Sequence, residues 1–215
     1  MVQLNVYGYS KATCTQRVLI LLEELELKYN FKEIDLMKGE QKSEDYLKLQ
    51  PFGKVPAVEY GDKKLFESRS ILRYIAKNNR SPVDLLGDVY VDMWLEVESQ
   101  NFNPPASKIV YEKMFKNKDH EPDQELMKVE AKRLAEVLDV YENRLETQDY
   151  IAGDNYSIAD ISHIPYAYCL LKCGYKELFK SRPNVYNWLK RIMRRPAVKA
   201  VLDGNFGEQD DQDQE

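Results

Sequence analysis

The sequence predicts an α/β domain with a mixed sheet, followed by an all-helical domain. Strand-like and helix-like patterns alternate over about the first eighty residues, and no strand-like pattern recurs beyond them. Between the two regions lies NNRSPVDLLGD, in which Asn, Pro and Gly interrupt both patterns. We therefore expect an N-terminal domain at 1–78, a linker at 79–88, a helical domain at 89–207 and a disordered acidic tail at 208–215.

The N-terminal domain is expected to contain four strands. Apolar and polar residues alternate through Leu4 and Val6, and a second extended run begins at Tyr29. Two further strands in AVEYGDKKLFE are joined at Gly61-Asp62, a two-residue turn compatible with type II′. Because helix-like stretches separate these strands, the pattern indicates a mixed sheet with crossover helices.

Amphipathic stripes predict the helices. One begins near Arg17, and a second follows Ser68, which is expected to cap it. In the C-terminal domain Pro104-Pro105 should disturb the first helix, and Ser157-Ile158-Ala159-Asp160 resembles a capping box with a structural role for Ser157 and Asp160. We expect C-terminal helices at 89–116, 124–145 and 158–173, and from Pro183 onward.

Charge and composition exclude several kinds of partner. The chain has 31 basic and 36 acidic residues, and five of the acids lie in the final EQDDQDQE, so the rest of the chain is neutral. Nucleic acids and anionic membranes bind clustered positive charge, which this sequence lacks. No apolar run reaches the ~20 residues that span a bilayer, and the N-terminus lacks the pattern of a secretory signal. We expect a soluble, cytoplasmic protein.

The cysteines and histidines suggest no metal site. Three cysteines, Cys14, Cys169 and Cys173, lack zinc-ligand spacing and suit a reducing compartment. Cys169 and Cys173 lie in an apolar helical stretch, which favours inert, buried thiols. His120 and His163 fall in no triad or metal-ligand pattern and are interpreted as structural or surface residues.

Residues 50 to 76, QPFGKVPAVEYGDKKLFESRSILRYIA, closely resemble the glutathione-binding segment of the soluble glutathione transferases, and of their plant phi class in particular. Phi-like sequence recurs in WLEVESQNFNPPASKIVYE from Trp94 and in YIAGDNYSIADISHIP from Tyr150. The resemblance implies a thioredoxin-like N-terminal domain, glutathione as co-substrate without a prosthetic group, a role in detoxification, and a homodimer.

The chemistry of glutathione explains which residue types its site needs. Glutathione carries two carboxylates, an amine and a thiol. A helix beginning at Ser68 offers backbone N–H groups and a positive dipole end to the γ-glutamyl carboxylate. Glu67 offers an acceptor for the amine. The resemblance places Lys42 and Lys54 at the glycyl carboxylate with Gln41 beside them. It also implies that Val55, joined to Pro56 by a cis bond, turns its backbone toward the cysteinyl part.

The catalytic position departs from the family pattern. In the phi class a serine five residues before an arginine activates the thiol, and counting back from Arg17 gives Ala12. Thr13 offers the nearest hydroxyl, and two roles stay open for it: thiol activation, or capping within a Thr13-Cys14-Thr15-Gln16 box. The roles can coexist, because a hydroxyl accepts one hydrogen bond and donates another.

Cys14 is the alternative catalytic residue. Cysteine classes of the superfamily perform thiol-disulfide reactions with a cysteine five residues before the arginine, whereas Cys14 is three before Arg17. Two positions turn a helix by about 200°. A thiol at a helix N-terminus can nevertheless have a low pKa.

The same sites suit three functions. The first is conjugation of glutathione to apolar electrophiles by thiolate attack. The second is non-catalytic binding or transport of flavonoid-type ligands, because KATCTQRV is similar to the serine-lacking, anthocyanin-related ligandins of plants. The third is a glutathione-dependent peroxidase or thiol reductase using Cys14. The resemblance implies an acceptor pocket lined by Tyr9, Ser10, Lys11, Met37, Met114 and Phe115.

Overall fold

A computed structural model of the chain describes residues 3–79, 85–116, 119 and 121–202. The predicted tail, His120 and residues 80–84 of the predicted linker lie outside this part. The chain forms two compact units. The first comprises the described residues up to Asn79 together with a C-terminal helix, and the second runs from Leu85 to Arg195.

The first unit is built on the predicted four-stranded mixed sheet. The strand order is β2-β1-β3-β4, in which β1 is parallel to β2 and antiparallel to β3. The turn at Gly61-Asp62 joins β3 to β4, and Gly61 has a φ of 62°. The elements are β1 (Leu4–Gly8), α1 (Thr13–Glu24), β2 (Asn30–Glu33), a 3₁₀ turn (Glu40–Lys42), α2 (Glu44–Leu47), β3 (Ala57–Tyr60), β4 (Lys63–Phe66) and α3 (Ser68–Asn78).

The two faces of this sheet differ in polarity. Leu4, Val6 and Val58 are buried, and α1 contacts α3 within the same unit. The alternate residues face the other way, where the Tyr7 hydroxyl donates to the Glu59 carboxylate at 2.6 Å. Period-two alternation in the strands thus separates an apolar face from a polar one.

Gly8 allows α1 to approach the end of β1. A Cβ at Gly8 would lie 2.6 Å from Cγ2 of Thr15, a fully buried residue in the first turn of α1. The missing side chain therefore fixes how closely the start of α1 packs on the sheet.

The last helix of the chain belongs to the first unit. Helix α10 (Pro196–Val201) packs on α1 and buries Ala197 and Val198. Among the described residues the helical unit therefore ends at Arg195, and the predicted boundary at 207 lies outside them. Helix α10 joins the first unit because its buried residues are covered by α1.

The second unit is entirely helical in its described elements. These are α4 (Val89–Val97), a π-helical turn (Glu98–Phe102), α5 (Asn103–Val110), a second π-helical turn (Tyr111–Phe115), α6 (Gln124–Arg144), α7 (Ile158–Lys172), α8 (Lys176–Lys180) and α9 (Pro183–Met193). Among the described residues, no helix is long and apolar enough to cross a membrane. The predicted helices are present, but α8 and both π-helical turns were not predicted.

A π-helical turn absorbs the predicted disturbance at Pro104-Pro105. Asn103 N–H bonds to the carbonyl of Glu98, five residues earlier. Because neither proline has an N–H, the regular hydrogen-bond ladder cannot continue through them. The wider turn lies directly before the prolines, so the helical run continues into α5.

The capping box at α7 is confirmed. Ala159 N–H donates to Ser157 Oγ at 3.3 Å, and Ser157 N–H donates to Asp160 Oδ2 at 2.9 Å. The other carboxylate oxygen accepts from Trp188 Nε1 at 2.8 Å and from Ile151 N–H at 3.1 Å. Burial raises the pKa of Asp160, although these hydrogen bonds oppose the rise.

His163 is a structural residue of the helical core. Its Nδ1 lies 2.7 Å from the carbonyl oxygen of Ala159, which can only accept, so Nδ1 carries the proton. Its Nε2 then accepts from the Tyr141 hydroxyl at 2.9 Å. Both residues are buried, and this agrees with the interpretation of His163 as structural.

Candidate active site

If Thr13 were the cap residue, helix α1 would begin at Cys14. It begins one residue earlier, at Thr13. Ala12 is extended, with φ −78° and ψ 129°, and its carbonyl accepts the first helical bond from Gln16 N–H at 2.9 Å. Thr13 is therefore the first residue inside the helix, and the capping box expected at Thr13 is wrong. Thr13 is only 6% exposed, and no side chain caps the helix.

Cys14, Arg17 and Ser68 are brought together at the start of α1 and α3. Arg17 is fully buried, and its Nη1 donates to Cys14 Sγ and to Ser68 Oγ at 3.4 Å each. Cys14 is half-buried. The half-buried thiol is thus directed toward the guanidinium that connects the two helices.

Helix α3 begins at Ser68, as predicted, but Ser68 is not its cap. The cap position is Glu67, whose φ of 65° is rare for a residue other than glycine, and no side chain caps the helix. Glu67 adopts the turn that leads into α3, so Ser68 is already helical. The first-turn N–H groups of α3 consequently have no intrahelical acceptor.

The 3₁₀ turn at Glu40–Lys42 and the loop before β3 carry the other predicted glutathione contacts. Lys42 Nζ donates to the carbonyl of Phe52 at 2.9 Å. Gly53 has a φ of 59°, and a Cβ there would lie 2.7 Å from Lys42 Nζ and from the Gln41 carbonyl oxygen. The glycine is therefore required where the lysine crosses the loop. The Val55–Pro56 bond that ends this loop is cis.

Two residues that hold this loop were missed in the sequence. Tyr46 donates its hydroxyl to the carbonyl of Lys54 at 2.7 Å. The buried side chain of Gln50 accepts from the N–H groups of Phe52 and Lys54 at 2.7 and 3.3 Å. Gln50 opens the family-like segment QPFGKVP, and a polar residue directly before Pro51 was the available signal.

The predicted acceptor residues are divided between the two units. In the first, Tyr9 is half-buried, whereas Lys11 and Met37 are exposed. Ser10 is also exposed, and both its N–H and its hydroxyl donate to Glu33. In the second, the π-helical turn at Tyr111–Phe115 carries the partly exposed Met114 and Phe115. The pocket that these six residues would form together stays a prediction.

The remaining cysteines are free thiols outside these clusters. Burial raises the pKa of Cys169 to about 11, and it also raises the pKa of Cys173. Both thiols are therefore protonated at neutral pH, as expected for unreactive cysteines. Cys169 is buried as expected, but Cys173 is only half-buried.

Two family models match the chain: the glutathione S-transferase N-terminal domain at residues 2–77, and the C-terminal domain at residues 102–196. The chain belongs to the glutathione S-transferase family. It is 41% identical to glutathione S-transferase F7 of Arabidopsis thaliana, over 94% of this chain and all of that protein. It is 40% identical to glutathione S-transferase PARB of Nicotiana tabacum, over 90% of this chain and 94% of that protein.

Solved transferases share the fold. The crystal structure of glutathione transferase F7 from Populus trichocarpa matches with a TM-score of 0.89 and 38% identity, covering 94% of this chain and 98% of that one. Glutathione S-transferase I from maize, in complex with an atrazine–glutathione conjugate, matches with a TM-score of 0.86 and 32% identity, covering 93% and 96%. The protein is thus a phi-class glutathione transferase with a thioredoxin-like N-terminal domain.

Proposed function

We propose that this transferase conjugates glutathione to apolar electrophiles, and that the Thr13 hydroxyl stabilises the thiolate in place of the family's serine. The position of Thr13 carries the proposal. It is the first residue of α1, it is nearly buried, and the helix cap does not use its hydroxyl. The hydroxyl thus stays available to donate to a thiolate at the end of the helix.

Magnitudes favour a hydroxyl donor over the helix end alone. A thiol with a pKa near ~8.5 needs about 2.7 kcal/mol of preferential thiolate stabilisation to titrate two units lower. A helix N-terminus supplies roughly 0.3–1 kcal/mol, whereas a hydrogen bond to a charged group supplies about 1.5–3 kcal/mol. A side-chain donor is therefore needed, and the Ala12 methyl cannot provide it.

The proposed reaction has three parts. The first turn of α3, with Ser68, holds the γ-glutamyl carboxylate, and Glu67 accepts from the γ-glutamyl amine. Lys42 and Lys54 bind the glycyl carboxylate beside Gln41, and the backbone of Val55, before Pro56, meets the cysteinyl part. The thiol proton leaves to solvent, the thiolate forms a carbon–sulfur bond, and a leaving group departs with the electron pair of the broken bond.

A carrier of flavonoid-type ligands is the second candidate function. It is favoured by Ala12, whose side chain has no donor at the position of the family's catalytic serine. Such a protein would bind glutathione and planar apolar ligands without turnover. An acceptor site of the predicted composition, with Tyr9, Met37, Met114 and Phe115, would suit either function.

A Cys14 peroxidase or thiol reductase is the third candidate. It is supported by the hydrogen bond that Arg17 Nη1 donates to Cys14 Sγ at 3.4 Å, which holds the thiol beside a cation. The direction of the thiol weighs against this function, because Sγ faces a fully buried side chain.

An activity assay with a model aryl halide separates these functions. We expect wild type to conjugate glutathione, Thr13→Ala to lose about tenfold or more in kcat/KM, and Thr13→Ser and Cys14→Ser to stay near wild type. Glutathione binding, measured by calorimetry, should persist in Thr13→Ala. Glutathione binding without any wild-type turnover would indicate the carrier, and loss of activity only in Cys14→Ser would indicate redox chemistry.

We further propose a homodimer formed through the helical unit. A groove of about 570 Å³ between α4 and α6 is lined by Val97, Val137 and Val140, together with polar and charged residues that include Glu130 and Arg133. Val140 is 58% exposed, and Val89 and Met93 on α4 are exposed as well. A second copy of the chain would remove this apolar surface from water. Sedimentation should show a dimer for wild type and a monomer for Val140→Glu, and a monomeric wild type would contradict the proposal.

A cytoplasmic location completes the proposal. The three cysteines are free thiols, which suits a reducing compartment. Fractionation of cells that express the protein tests this, because recovery with an organelle or membrane fraction would contradict it.

A further inference from the structure

The loop at 50–54 is held by one buried side chain. Gln50 is 2% exposed, and its Oε1 accepts the N–H groups of Phe52 and Lys54 at 2.7 and 3.3 Å. The backbone carbonyl of the same residue accepts the N–H of Gly53 at 3.0 Å. Gln50 therefore engages three consecutive backbone donors of the loop.

The carbonyl groups of the loop are held from outside it. Tyr46 donates to the carbonyl of Lys54, and Lys42 donates to the carbonyl of Phe52. The side chains of Phe52 and Lys54 are exposed, and the ring of Phe52 makes an edge contact with Phe66 at 6.2 Å between centroids, so apolar packing contributes only in part to fixing this segment. Its conformation consequently depends on polar contacts, and Gln50 supplies most of those made by backbone N–H groups.

We propose that Gln50 is a positioning residue for glutathione binding: it fixes the loop conformation that presents Lys54 and Val55 to the ligand. This inference rests on the proposed function of the loop. If the side-chain acceptor is lost, two backbone donors lose their partner, and the loop samples conformations in which they reach water. The apparent affinity is then multiplied by the fraction of molecules that keep the binding conformation, and the Kd rises in inverse proportion to it.

The chemistry of the side chain explains why a neutral amide suits this position. Its carbonyl oxygen has two lone pairs, enough for both N–H groups. A carboxylate would accept the same bonds but would place a negative charge beside lysines proposed to bind a carboxylate. An asparagine would still reach the N–H two residues ahead, as asparagines do in turns.

The experiment compares Gln50→Met, which keeps the length of the side chain without the acceptor, with Gln50→Asn. Tyr60→Phe is the control at the other end of β3, since it removes a hydroxyl bonded to Asn79 at 3.3 Å. We expect the glutathione Kd from calorimetry to rise about five- to tenfold in Gln50→Met and about twofold in Gln50→Asn. In Tyr60→Phe it should be unchanged.

Kinetics and amide exchange separate positioning from simple destabilisation. For Gln50→Met, KM for glutathione should rise, whereas kcat at saturating glutathione and KM for the aryl halide should stay within about twofold of wild type. The amides of Phe52 and Lys54 should exchange faster in this variant. Should Gln50→Met unfold, Tyr46→Phe tests the same loop, with an expected two- to threefold rise in Kd.

The outcomes distinguish this inference from the proposed function. Equal glutathione affinity in wild type, Gln50→Met and Tyr46→Phe would overturn the inference and leave conjugation intact. A wild type that binds glutathione without turnover would overturn conjugation, but calorimetry would still decide the role of Gln50. If Tyr60→Phe lost as much glutathione affinity as Gln50→Met, the loss would reflect general destabilisation. This result would also overturn the positioning role of Gln50.

Discussion

Helix α7 and helices α1 and α3 begin in opposite ways. At α7, Ser157 and Asp160 close the helix end with hydrogen bonds that lie wholly inside the protein. At α1 and α3 the cap positions are Ala12 and Glu67, and neither provides a side-chain cap. The first-turn N–H groups are thus satisfied by the protein at α7, but have no side-chain cap at α1 or α3.

This difference teaches which helix ends are structural and which are available to a ligand. A capped end is electrostatically satisfied, whereas an uncapped N-terminus retains donors and a partial positive charge for an anion. Glutathione has a γ-glutamyl carboxylate and, when bound for reaction, a thiolate. Helices α1 and α3 both belong to the first unit, and under the proposed function each presents its uncapped N-terminus to one of these two negative groups.

The largest expected effect is at the capped N-terminus of α7. Asp160→Ala should lower the free energy of unfolding by about 3–5 kcal/mol, because the N–H groups of Ile151, Ser157 and Trp188 lose their acceptor in the interior. Urea denaturation measures the loss. Asp160→Asn, which keeps one acceptor oxygen, should lose less. A loss below about 1 kcal/mol in Asp160→Ala would show that α7 does not depend on its capping box.

A smaller effect is expected when a hydroxyl is introduced at the uncapped N-terminus of α1. Ala12→Ser should raise the free energy of unfolding by about 1 kcal/mol if the serine caps the helix. It should raise kcat/KM roughly tenfold or more if the hydroxyl instead donates to the thiolate. We expect the gain in activity with little gain in stability. A gain in stability without a gain in activity would mean that the serine caps α1 as Ser157 caps α7. The N-termini of the two helices would then not differ in function.

Sequence patterns correctly indicated the cap at the N-terminus of α7, but the side-chain caps that they indicated at α1 and α3 are wrong. The Ser157–Asp160 spacing and the Thr13–Gln16 spacing both resemble capping boxes, but only the first is one. The reason is the backbone before each helix, because Ala12 is extended and Glu67 has a positive φ. Such dihedral angles depend on the packing of the whole unit, which no local pattern encodes.

The fold was predictable for a different reason. Apolar and polar residues alternate in β1, and apolar residues recur at the helix period in α1, α3 and α9, so burial specifies these elements. The short α8, α10 and the π-helical turns lack a long periodic stretch. Gln50 and Tyr46 were missed because they act on backbone groups of a loop, and a sequence does not show which side chain reaches which carbonyl or N–H group.

The smallest expected effect concerns a carboxylate whose pKa shifts the opposite way from that of Asp160. Hydrogen bonds from Tyr7 and then Asn5 lower the pKa of Glu59, which lies on the polar sheet face, whereas burial raises the pKa of Asp160. A lowered folded-state pKa stabilises the protein above the unfolded value of about 4.3, and the contribution is lost as the pH falls through the folded-state value.

Glu59→Gln should therefore cost about 0.5 kcal/mol at pH 7, since the carboxylate is partly exposed to solvent, and the difference from wild type should shrink as the pH falls below about 4. Urea denaturation of both proteins across this range provides the measurement. A difference that stays constant with pH would mean that shape, rather than charge, makes Glu59 stabilising. The hydrogen bonds to Glu59 would then stabilise the protein equally with a neutral side chain, and the contrast between this half-buried carboxylate and the buried Asp160 would rest on burial alone.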